Sequence, residues 1–206
     1  MMMRLTKSLS LLPLLAALCL AGCDRLDAPA KPSFKGVDLT GANYASTLRL
    51  PDIDGQPRSL GDFKGKVVVL FFGYTQCPDV CPTTMAELAQ VKKALGADGD
   101  KVQGVFVTID PERDTAELLK AYLASFDPSF VALRGSAEQL AEAAKEFKVY
   151  YAKVPGKTPE TYTMDHTAAS FVFDTQGRIR IFERYGAGGE ALQADIRQLL
   201  AEKASS

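Results

Sequence analysis

Apolar and polar positions fall into two alternating patterns along this chain. Val67-Val68-Val69-Leu70-Phe71-Phe72 is an unbroken apolar run rich in β-branched and aromatic residues, as expected of a strand buried on both faces. Beyond the polar stretch that follows it, a helix is predicted from Pro82 to about Leu95. Apolar residues recur there at 85, 88 and 91, and the proline suits a first turn that has no N–H bond to lose. A second apolar strand runs from Val102 to Ile109 and is closed by Asp110-Pro111. Glu112-Arg113-Asp114-Thr115 opens the next helix, in which Leu118, Leu119, Tyr122, Leu123 and Phe126 recur at helical spacing and are expected in the core. A short strand at 130–134 and a helix from Ser136 to Phe147, with Ser136 as its cap, complete the middle of the chain.

Two hairpins are predicted around this middle. The first, between Leu48 and Leu60, turns at Asp54-Gly55; the second joins Ala168–Phe173 to Arg178–Tyr185 through Asp174-Thr175-Gln176-Gly177. Pro155-Gly156-Lys157-Thr158-Pro159 reads as an exposed loop, and an amphipathic helix runs from about Gly189 to Lys203. The order is hairpin, strand, helix, strand, helix, strand, helix, hairpin, helix, and its strand–helix–strand centre favours a right-handed parallel crossover. The expected fold is α/β and thioredoxin-like, with a central mixed sheet flanked by helices and an added N-terminal hairpin. No repeat or low-complexity tract divides it, so a single domain is expected over 36–206.

The N-terminus departs from this pattern. Arg4 and Lys7 precede an apolar stretch from Leu9 to Leu20, too short to be a membrane span and typical of an export signal over residues 1–22. Its end, Leu20-Ala21-Gly22-Cys23, resembles the lipobox of bacterial lipoproteins, in which the cysteine carries the lipid. Residues 23–35, with Pro29 and Pro32, read as a flexible tether from lipidated Cys23. Asp24 resembles an inner-membrane retention signal, so the expected place is the periplasmic face of the inner membrane, the lipid serving as anchor. The formal net charge of −1, about −3 without the signal, and the lack of a lysine or arginine block exclude a nucleic-acid footprint.

Composition then concentrates attention on two thiols. Of the four cysteines, Cys19 leaves with the signal and Cys23 takes lipid, which leaves Cys77 and Cys81. They straddle a loop-to-helix junction, where the positive end of the helix favours the thiolate, the nucleophilic and metal-binding form. A spacing of four residues brings both sulfurs to one side of a turn. The pair could bind a metal ion, cycle between dithiol and disulfide, or form a static disulfide, which would close too small a loop to gain much stability.

Gly73-Tyr74-Thr75, Cys77-Pro78-Asp79-Val80-Cys81-Pro82, Asp110-Pro111-Glu112-Arg113-Asp114-Thr115 and Asp165-His166-Thr167, in that order, resemble the Sco/SenC family over roughly residues 40–200. Members of that family are thioredoxin-like proteins implicated in copper delivery to, or thiol reduction at, the dinuclear copper A site of cytochrome c oxidase. The resemblance implies that Cys77, Cys81 and His166 ligate one copper ion, Cu(I) or Cu(II). Two soft thiolates and an imidazole suit Cu(I), whereas structural zinc would call for a fourth protein ligand. Asp110 and Asp165 are candidates for supporting roles beside the ligands, Met164 is expected to be structural, and Tyr74 is expected to form a packing wall. Many relatives have a transmembrane anchor, whose place the lipid would take here.

Three activities compete. The first is a copper metallochaperone whose partner is the oxidase subunit carrying the copper A site, with other periplasmic copper chaperones or thiol reductants upstream. The second is a thiol–disulfide oxidoreductase in which Cys77, the more exposed thiol, attacks and Cys81 resolves. The third, a peroxidase of peroxiredoxin type, leaves His166 without a role.

Overall fold

The computed structural model describes residues 33–158 and 161–202. The expected signal peptide, the lipidation at Cys23 and the tether as far as Pro32 lie outside the described residues. In chain order the strands are β1 (Val37–Asp38), β2 (Leu50–Pro51), β3 (Pro57–Arg58), β4 (Val67–Gly73), β5 (Val102–Thr108), β6 (Val131–Leu133), β7 (Tyr151–Val154), β8 (Thr163–His166), β9 (Ala169–Phe173) and β10 (Ile179–Arg184). The helices are α1 (Val80–Ala94), α2 (Ala116–Ala124), α3 (Ala137–Phe147) and α4 (Gly189–Ala201).

The two strands that lack polar alternation sit at the centre, because a strand covered on both faces has no solvent side to mark. Every residue of β4 and β5 is buried, and the two pair in parallel from Val67 opposite Val102 to Gly73 opposite Thr108. The sheet order is β1-β10-β9-β4-β5-β6, with β6 parallel to β5 and with β9, β10 and β1 each antiparallel to its neighbour. This is the mixed sheet that the element order predicts. On one face Phe72 of β4 and Phe171 of β9 meet Phe147 of α3, with ring centroids 5.3 and 5.4 Å away. On the other, Phe106 of β5 packs 5.6 Å from Tyr122 of α2, while α1 and α4 cover the β4–β9–β10 side.

The first hairpin forms at β2–β3, with Gly55 in the left-handed conformation (φ 79°) at the turn. Ser136 caps α3 as expected, accepting from Gln139 N–H while the Gln139 side chain accepts from Ser136 N–H. Three details differ from the pattern-based reading. Helix α1 begins at Val80 rather than Pro82, so Cys81 lies inside the first turn. Leu118 is exposed and Phe126 lies past the end of α2, which leaves Leu119 and Leu123 as that helix's fully buried anchors. Finally, Tyr151–Val154 and Thr163–His166, on either side of the proline-bearing loop, form a two-stranded hairpin of their own, with Tyr151 opposite His166.

Candidate metal centre

The site forms where β4 hands over to α1. Thr75 is tied down by Asp114, which accepts from the Thr75 hydroxyl (2.6 Å), the Thr75 N–H (3.2 Å) and the Thr108 hydroxyl (2.6 Å). Asp114 is fully buried, and that burial raises its pKa. The chain then turns back through a Cys77 N–H bond to the Tyr74 carbonyl (3.3 Å) and enters α1. Gly73 has no room for a side chain. A Cβ there would lie 2.7 Å from Phe71, 2.9 Å from Phe106 and 3.0 Å from Cys81 Sγ, so the glycine lets the Cys81 sulfur rest against the end of the strand.

His166 arrives from the opposite direction, at the end of β8 and 85 residues beyond Cys81. Its Nδ1 donates to the Thr167 carbonyl at 3.1 Å, because a carbonyl can only accept. That bond turns Nε2 towards the thiols, 3.6 Å from Cys81 Sγ. The ring packs edge-on against Phe71 and Tyr74, with centroids 5.8 and 6.1 Å away. Tyr74 is buried and is the packing wall expected of it, and Met164 is buried on the same side of β8. One donor atom each from Cys77, Cys81 and His166 fall within 4.8 Å of one another, close enough for all three to reach a single ion.

The two thiols are unequal. Cys81 is fully buried, whereas Cys77 is half-buried at the loop. A hydrogen bond from the Cys81 side chain, aided by His166 and by the N–H groups of Asp79 and Cys81, brings the Cys77 thiol down to about 3 against the opposing effect of burial. The same thiol pairing and burial push Cys81 far up, so at neutral pH the pair holds one thiolate and one proton. Iodoacetamide at pH 5.5, where an ordinary thiol near 8.5 is almost inert, should alkylate Cys77 and spare Cys81 in the reduced, metal-free protein. Peptide mapping reads the result, and equal labelling of both would contradict the asymmetry.

The two candidate aspartates differ in placement. Asp110 is buried at the end of β5, where its carboxylate accepts from the Tyr162 hydroxyl (2.7 Å) and from Arg113 Nε (2.5 Å). Asp165 is exposed and, by strand alternation, lies on the opposite face of β8 from His166. Arg113 and Asp114 escaped the pattern-based reading. As members of an Asp-Pro-Glu-Arg-Asp-Thr stretch before a helix they read as N-terminal helix residues, and nothing local shows that they bond back to residues 75 and 76.

A model of the family described as SCO1/SenC matches residues 38–201 of the chain. The chain is 41% identical to ScoI of Bradyrhizobium japonicum, solved with copper bound, covering 75% of this chain and 98% of that one at a TM-score of 0.67. It is 38% identical to apo Sco1 of Thermus thermophilus, covering 83% and 99% at a TM-score of 0.73. The mitochondrial SCO2 homologue of mouse is 37% identical over 154 residues, which make up 74% of this chain and 60% of the mouse protein. The chain thus spans about 60% of the length of that curated relative.

Proposed function

This chain belongs to the SCO1/SenC family, and from that premise we propose that it binds one copper ion through Cys77, Cys81 and His166 and delivers it to the copper A site of cytochrome c oxidase. The observation that carries the reading is the convergence of two thiols and one imidazole nitrogen within 4.8 Å. That donor set fits monovalent copper. Thiolates are its preferred soft ligands, one is already deprotonated, and Nδ1 anchoring presents Nε2 as the third donor. Copper entry displaces the proton held by Cys81, so loading releases that one proton and tightens as pH rises. Lipidation at Cys23, with the residues from there to Pro32 as tether, would keep the site at the membrane surface where the oxidase lies; Phe34 and Lys35 already pack and bond into the domain.

Transfer is the direct test. The reduced domain loaded with one equivalent of Cu(I) is mixed with a soluble, reduced copper A domain and the two are separated. Copper in the copper A fraction supports delivery; copper retained by the donor at equilibrium argues against it.

The inequality of the thiols favours a second activity at the same site, reduction of a disulfide in the recipient. The Cys77 thiolate attacks one sulfur of the target disulfide and forms a mixed disulfide, releasing the first target thiolate. The Cys81 sulfur then gives up its proton and attacks Cys77 Sγ. This breaks the mixed bond, leaves a Cys77–Cys81 disulfide and passes two electrons to the target. Cys81→Ser should trap the mixed disulfide on Cys77 and Cys77→Ser should trap none; trapping by neither would remove this reading.

A further inference from the structure

Three segments carry the site, and one side chain touches or braces all of them. Arg113 lies in the loop between β5 and α2 with its side chain 16% exposed. Its Nε donates to Asp110 Oδ2, and its Nη1 donates both to Gln76 Oε1 (3.2 Å) and to the Tyr162 carbonyl (2.8 Å). The guanidinium also stacks on the Tyr162 ring, 3.5 Å from its centroid, and the Tyr162 hydroxyl closes the ring of contacts on Asp110 Oδ1 at 2.7 Å. Gln76 immediately precedes Cys77. Tyr162 immediately precedes β8, whose last residue is His166. The cation therefore joins the arm that bears the first thiolate to the arm that bears the imidazole, and both to the rigid end of the central strand β5.

We propose that Arg113, with Asp110 as its counter-charge, is a positioning residue that fixes the His166 arm against the Cys77 arm and so sets the place of the third ligand. The inference rests on the reading of Cys77, Cys81 and His166 as copper ligands. The β7–β8 hairpin is only four residues long on each side and is not part of the six-stranded sheet, so it needs an external brace. A planar fork that is always charged can hold a carboxylate, a side-chain amide and a backbone carbonyl in one plane; a lysine ammonium cannot. The Thr167 carbonyl orients the imidazole about its own bonds, and Arg113 places the strand on which it stands.

The test compares wild type, Arg113→Lys and Gln76→Ala, each with and without His166→Ala, by competition for Cu(I) against a chelator. If Arg113 acts through the histidine, Arg113→Lys weakens binding by about tenfold or more when His166 is present, the usual cost of losing a ligand's supporting partner. In the His166→Ala background the same change costs less than about threefold, because the shared step is already gone. Gln76→Ala, which cuts one exposed strut, falls between. A loss of equal size in both backgrounds would overturn the proposal. A copper-free readout separates it from the ligand reading: the chain has one histidine, so long-range proton–nitrogen spectra report on His166 alone. Wild type should give a single set of ring signals with Nδ1 protonated. Arg113→Lys should leave Nδ1 protonated, since the Thr167 carbonyl moves with the arm, but shift the ring proton signals as the imidazole moves against the Phe71 and Tyr74 rings. Unchanged ring signals in Arg113→Lys refute the positioning role, whereas copper binding indifferent to His166→Ala refutes the ligand reading and leaves the nitrogen spectra to decide the role of Arg113.

Discussion

Cys77→Ser and Cys81→Ser should each lower Cu(I) affinity by at least about 4 kcal/mol, a factor of about a thousand, and His166→Ala should cost less. A serine hydroxyl is a hard donor that stays protonated at neutral pH, so each cysteine change removes a soft anion and leaves one thiolate and a neutral imidazole. Monovalent copper tolerates two-coordination by a thiolate pair, so loss of the imidazole leaves a usable if weaker site, on the order of a hundredfold poorer. The order of effects is therefore thiolates first, histidine second, Arg113 third. The measurement must be made on reduced protein, since a Cys77–Cys81 disulfide removes both soft ligands together. A His166→Ala loss as large as that of either cysteine would show that the imidazole fixes the arrangement of the thiols as well as binding the ion. Cysteine variants that kept wild-type affinity would place the copper elsewhere.

How much of this could be read in advance depends on how far apart in the chain the cooperating residues lie. The two cysteines, the strand before them and the helix after them follow from one local stretch, because a buried strand and a helix's first turn leave local signals. The β4–β5 pair was equally legible, because a strand dominated by apolar residues, with no polar alternation, needs cover on both faces, and all seven residues of each are buried. The approach of His166 has no local signal: only the family resemblance pointed to it, since composition alone cannot join residues 85 positions apart. The β7–β8 hairpin went unread because its strands are four residues each and the loop between them carries two prolines. Leu118 shows the opposite error: helical spacing puts it on an apolar stripe wider than the face that α2 buries.

The same long-range blindness hides a buried carboxylate on the face of the sheet that α1 and α4 cover. Glu183 shares its face of β10 with buried Ile181, two residues earlier, which turns it inward; it is 6% exposed, and neither carboxylate oxygen has a protein partner. It borders a cavity of about 20 Å³, room for one water, with Thr84, Glu87 and Ser170. Burial, the Asp195 carboxylate on α4 and Glu87 on α1 push its pKa from the usual 4.5 up to about 7. The folded state therefore favours the protonated acid. The stabilisation is complete below pH 4.5 and is lost as pH rises through 7, a change of about 3 kcal/mol over that window. The lowered Cys77 pKa drives stability the other way over the same range, so total stability alone would mislead. The diagnostic quantity is the difference between wild type and Glu183→Gln in urea unfolding of the reduced, metal-free protein from pH 4.5 to 8.5. Because the Cys77 contribution cancels, the variant should gain on wild type by about 3 kcal/mol across this interval. Parallel curves would mean that a water in the cavity keeps Glu183 ionised at its ordinary value. A widening gap would also identify what the charge disturbs: Gly36 packs directly against the Glu183 carboxylate, and Asp195 accepts from the N–H groups of Lys35 (2.8 Å) and Gly36 (2.9 Å). Ionising Glu183 thus sets two carboxylates against each other at the point where the chain enters the domain, and amide exchange at residues 35–38 should quicken before that of β4 does.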